Sequence, residues 1–94
     1  MGPFNNIAQS IIKEQELVIG PLAWSEARKV SGLHIDVQGN DVTLEGGDPK
    51  ATIDRLVSQY ERLFGRASQE VCKEAAAGIT ATMSRADIPA SLLT

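Results

Sequence analysis

The run Leu33-His34-Ile35-Asp36-Val37-Gln38-Gly39-Asn40-Asp41-Val42-Thr43-Leu44-Glu45 alternates on both sides of a glycine. Leu33, Ile35 and Val37 are separated by His34 and Asp36, and Val42 and Leu44 by Thr43. A period of two is the signature of a half-buried β-strand. Gly39-Asn40 between two such runs predicts a two-residue hairpin loop of type II′. Pairing Gln38 with Asp41 sets Val37 opposite Val42, Asp36 opposite Thr43, Ile35 opposite Leu44 and His34 opposite Glu45. Every pair is then like with like, and a one-residue slip destroys the match. The stretch predicts an antiparallel hairpin with one dry face and one wet face.

Downstream, Gly46-Gly47-Asp48-Pro49 is a turn followed by a helix start. Asp48 is a good N-cap, and Pro49 fits the first helical position. Ile53, Leu56, Val57, Tyr60, Leu63 and Phe64 form one stripe, and Gly65 is a plausible stop, so the helix is Pro49 to Phe64. A further helix is expected from Ala67 to about Ala77, with Ser68 as a possible cap, Val71, Cys72, Ala75 and Ala76 on its apolar face, and Gly78 as an end or a residue crossed. Thr80 to Thr94 has weak periodicity and a breaker at Pro89, so it reads as a partly helical or disordered tail.

Upstream, Ala8, Ile11, Ile12, Ile19, Leu22, Ala23, Ala27 and Val30 recur at three- and four-residue steps, the period of a helical face. Gly20-Pro21 interrupts that face, because proline removes a helical hydrogen bond and clashes with the carbonyl four residues back. A break or sharp kink is expected there. The fold class that follows is a small α+β domain ordered αββαα: a kinked or broken helix, a hairpin and two C-terminal helices. Residues 1–79 form the domain and 80–94 the tail.

Composition bounds the function. Ninety-four residues with 43% hydrophobic content suit one domain. Net charge is -3 and the nine basic residues are scattered, which argues against nucleic acid as a partner. Met1 to Ile12, Ala75 to Ser84 and Leu17 to Ser25 are the longest stretches free of charge. All are shorter than the roughly 20 residues of a membrane span. The opening Met1-Gly2-Pro3-Phe4-Asn5-Asn6 has no basic-then-apolar pattern, so no signal peptide is expected. Asn6 also breaks the myristoylation pattern. A cytoplasmic chain is the expectation.

No catalytic or phosphate-binding motif is present, and no cofactor or metal is expected. Cys72 with His34 is in principle a nucleophile and base, but Cys72 falls on an apolar helix face, where a free cysteine behaves as a small hydrophobe. Asp36, Asp41, Glu45 and Asp48 are the oxygen ligands a hard cation would want. Their spacing matches no EF-hand, and a solvated face is the plainer account. His34 opposite Glu45 reads as a cross-strand pair. Trp24 lies just off the apolar stripe, and reads equally as an interface tryptophan or as a partly buried core residue. With it, His34, Asp36, Glu45, Ile88, Leu92 and Leu93 form the candidate interface set.

Gly32-Leu33-x-Ile35-x-Val37 followed by Val42-Thr43-Leu44-Glu45-Gly46 resembles the hairpin of BON domains, over about a third of the chain. The resemblance implies membrane or lipid attachment. BON domains continue into a further strand after the helix, whereas this chain reads helical from Gly65 onward.

The leading expectation is a non-enzymatic protein-interaction or regulatory module, acting as a homodimer or as an assembly subunit. A lone hairpin leaves open edges, and pairing them across a two-fold axis is one remedy. The alternative is a small-molecule or lipid-binding domain with an aliphatic pocket between hairpin and helices, lined by Trp24 and Tyr60. An enzyme built on Cys72 ranks third.

Overall fold

Helix α1 (Pro3–Ile19) turns Ile7, Ala8, Ile11, Ile12 and Gln15 inward, one face repeated at helical spacing. It ends at Gly20, whose φ of 73° is open to glycine at no steric cost. The Gly20 N–H donates to the Glu16 carbonyl at 2.8 Å. Pro21 then starts a new turn with φ -58°, and α2 (Leu22–Ala27) follows. The expected interruption at Gly20-Pro21 is thus a break between two helices. In the computed structural model, residues 3–36, 41–45 and 47–93 are described. They are 70% helical with a two-stranded antiparallel hairpin, a small α+β arrangement.

Strands β1 (Leu33–Asp36) and β2 (Asp41–Leu44) pair Leu33 with Leu44, His34 with Thr43, Ile35 with Val42 and Asp36 with Asp41. This corrects the expected register by two residues: Ile35 faces Val42, not Leu44, and His34 faces Thr43, not Glu45. A shift of two leaves every side chain on its own face, so the dry face (Ile35 and Val42 buried) and the wet face (His34, Asp36, Asp41 and Thr43 exposed) stand as expected. The ladder runs one pair beyond the strands in this register, and α1 braces it. The Glu45 N–H donates to the Gly32 carbonyl at 2.8 Å, and the Leu44 N–H donates to Asn5 Oδ1 of α1 at 3.1 Å. Gly32 has φ 89°, and a Cβ there would lie 2.8 Å from Thr52 Oγ1. The Gly39-Asn40 turn and the strand place of Val37 lie outside the described residues.

Helix α3 (Pro49–Phe64) begins and ends where its stop signals put it, with Asp48 Oδ1 accepting from the Lys50 N–H at 3.0 Å. Such a cap stabilises by about 1 kcal/mol. Helix α4 (Arg66–Thr80) crosses Gly78. Gly65, not Ser68, precedes it, and Ser68 is buried inside its first turns. Helix α1 lies along α4 and against β2, while α3 packs on α4 and meets α1 and α2. Residues after Ser84 return over this face in two single 3₁₀ turns, Arg85–Asp87 and Ala90–Leu92. Pro89 and Leu92 are buried there.

Candidate functional site

The α1–α2 break produces an apolar corner. The inward stripe of α1 runs through Ala8, Ile11, Ile12 and Gln15. At 100° per residue, Leu17 falls opposite that stripe and Val18 at its edge. Leu17 is 80% exposed, Val18 65% and Leu22 46%. All three lie in the charge-free stretch from Leu17 to Ser25. Val18 continues into a shallow groove against α4, lined also by Val71 and Ala75 and flanked by Glu14 and Glu74. Sequence reasoning missed this corner. The signal was present: two large aliphatic residues off the stripe, beside a helix break and with no charge among them.

The candidate residues from the sequence are scattered. Trp24 is buried in the core at 7% exposure, and its Nε1 has no hydrogen-bond partner among the described residues. His34, Asp36 and Glu45 stand exposed on the hairpin. Leu92 is buried against the core, Ile88 is half-buried beside it, and Leu93 is exposed. The hairpin acids do not converge. Among the described residues, no three His, Cys, Asp or Glu side chains are placed to hold a metal ion.

Cys72 is fully buried between α1 and α4. Gln15 Nε2 donates to its Sγ at 3.3 Å and to the Ser68 carbonyl at 2.9 Å. Burial pushes the thiol up to about 11, against the lowering effect of the Gln15 hydrogen bond. A thiol so placed carries almost no thiolate at neutral pH, and His34 is on the solvent-facing side of β1, so the two do not share a surface.

A second concave region, of about 650 Å³, lies between α3 and the chain leaving α2. Lys29, Ser31, Arg55, Gln59 and Arg62 are among its walls. Of its charged groups, Lys29, Asp54, Arg55 and Arg62 are already engaged. Arg55 donates from Nε and Nη2 to the Ser31 carbonyl at 3.2 and 2.9 Å. Lys29 Nζ and Gln59 Nε2 both donate to the Glu26 carboxylate. These two bonds, that of Lys29 first, hold the Glu26 carboxyl below its ordinary value. Neither Trp24 nor Tyr60 lines this region. Tyr60 is buried, and its hydroxyl donates to the Ala23 carbonyl at 2.6 Å.

Among the described residues no helix is long and apolar enough to cross a membrane. Comparison with family models, with curated proteins and with solved structures gives no match. Where BON domains carry a further strand after the helix, this chain carries α4.

Proposed function

We propose that the chain is a non-enzymatic protein-interaction module, acting as a homodimer or as a subunit of a larger assembly, and that it docks through the corner between α1 and α2. The observation that carries this reading is the exposure of Leu17, Val18 and Leu22 on one short, braced segment. Exposed aliphatic residues gathered on one short segment point to an interaction site more than single scattered ones do. The groove running from Val18 to Val71 gives a partner side chain somewhere to insert.

Any pairing of hairpin edges across a two-fold axis falls to β1 in this reading, because α1 lies against β2 and Asn5 occupies the Leu44 N–H. Light scattering and affinity capture with the native chain and with Leu17→Glu test the docking role. The native chain is expected to associate and Leu17→Glu to lose that association while keeping its helical content. An isolated monomer in both assays, for both chains, overturns it.

A further inference from the structure

We propose that the groove between α1 and α4 takes a basic amphipathic helix of another protein, whose aliphatic stripe fills the groove and whose lysine or arginine side chains meet its rim. The proposal rests on the reading of the α1–α2 corner as a docking surface, and it names the chemistry of the partner. The groove, of about 360 Å³, is lined by Glu14, Val18, Val71, Glu74 and Ala75. Val71 and Ala75 are half-buried, so part of each is open to a partner. Leu17, three residues on from Glu14, extends the apolar surface along the same side of α1.

Both walls repeat at a helical step. Glu14 and Val18 are four residues apart on α1, and Val71 and Ala75 four apart on α4. Rows at that spacing accept the ridges of a third helix, and the short side chains of Val71 and Ala75 let its backbone come close. Docking of a helix in a groove uses aliphatic anchors three and four residues apart, which is the spacing these walls offer.

Charge decides which helix. The ionisable groups lining the groove are both carboxylates, and neither Glu14 nor Glu74 is ion-paired among the described residues. Lys13 and Lys73, their neighbours in sequence, lie about 100° round their helices and do not line the groove. A cation at the rim therefore meets an unopposed carboxylate. A phosphate-bearing surface, nucleic acid or anionic lipid, meets the wrong sign. A second copy laid face to face brings two carboxylates from each chain into one interface, and like charges so placed disfavour the pairing.

The probe is a designed helical peptide of about 18 residues, or five turns, with leucines at three- and four-residue steps and lysines bordering them. Calorimetry compares it with a peptide carrying glutamate for lysine and with one of the same composition in scrambled order. The lysine peptide is expected to bind the native chain, and both controls to bind at least roughly tenfold more weakly. Glu14→Gln with Glu74→Gln is expected to weaken the lysine peptide roughly fivefold, as two exposed ion pairs allow, and to flatten its salt dependence. Asp41→Asn with Asp87→Asn removes the same charge away from the groove and is expected to leave binding unchanged. All four substituted residues are exposed, so the variants keep the fold. Failure of the lysine peptide to bind overturns the proposal, as does equal binding of either control, or an equal loss in the Asp41 and Asp87 variant. Leu17→Glu keeps the two readings apart. A chain that ignores every peptide, yet self-associates through a contact that Leu17→Glu abolishes, retains the docking corner and discards the basic helix.

Discussion

Along α4 the inward-facing residues are small: Ser68, Cys72 and Ala76. Along α3 they are large: Ile53, Leu56, Val57 and Tyr60, with Thr52 at the start. The first set meets the isoleucine face of α1, the second fills the space between α3 and the elements around it. Small residues let two helix backbones approach, so bulk comes from one side only. Each seam also carries a polar anchor. The Tyr60 hydroxyl is bonded to the Ala23 carbonyl. Gln15 uses Nε2 twice, while its Oε1 is buried without a partner among the described residues. The seams should therefore fail in opposite ways, one by being emptied and the other by being filled.

Emptying α3 is expected to have the largest effect. Leu56 is fully buried, and Leu56→Ala should cost about 2–5 kcal/mol through lost transfer energy and a residual cavity. Urea denaturation reads this as a lower midpoint at unchanged slope. A loss below ~1 kcal/mol would mean that the site collapses freely, and the α3 seam would not be the well-filled one.

High pH attacks both seams, in sequence. Burial pushes the Cys72 thiol from 9.0 up to about 11 and raises the Tyr60 hydroxyl above its ordinary 10.0. In each case the unfolded chain loses its proton before the folded one. The stability is whole below the unfolded value and falls as pH rises toward the folded value. For Cys72 that window is pH 9 to about 11, worth roughly 2–3 kcal/mol at ~1.4 kcal/mol per unit. Thermal melts should therefore weaken from pH 9, and Cys72→Ala should delay the onset to pH 10, where Tyr60 begins. An unchanged onset in Cys72→Ala would place the early loss elsewhere.

Different parts of the molecule were legible in the sequence to different depths. Helix α3 reads directly, because Asp48-Pro49 and Gly65 are local signals that packing did not override. The hairpin's faces were equally plain, but its register was not. A period of two is blind to a shift of two, and the contacts that accompany the observed register come from Asn5 and Gly32. Trp24 looked peripheral because the helical wheel was carried through Gly20-Pro21, where the break resets its phase. The C-terminal strap after Ser84 has no periodicity to find, since 3₁₀ turns held by Asp54, Gln69 and Lys50 leave only scattered polar residues. The apolar corner lies off the stripe, so helical periodicity does not mark it.

Filling α4 comes next in size. Ala76 is fully buried, and Ala76→Leu adds bulk where the helix meets its neighbours through small residues. Overpacking of this kind should cost about 1–3 kcal/mol. The same denaturation assay measures it, and a neutral result would show slack between α4 and its neighbours.

The smallest effects separate the two anchors. Tyr60→Phe removes a donor from the Ala23 carbonyl and should cost about 1 kcal/mol, the net value of a buried hydrogen bond. Gln15→Met keeps the side-chain length and removes two bonds, but it also removes the unpartnered Oε1. Deleting a half-satisfied polar group can be close to neutral, so Gln15→Met is expected within about 1 kcal/mol of the native chain. It should also raise the Cys72 pKa further, because the Gln15 hydrogen bond is what lowers it. The ultraviolet absorbance of the Cys72 thiolate, followed against pH in the folded chain, reads that change directly. If Gln15→Met instead costs clearly more than Tyr60→Phe, Oε1 has a partner such as a buried water. The two anchors would then be equally satisfied, and the contrast between the seams would reduce to side-chain size alone.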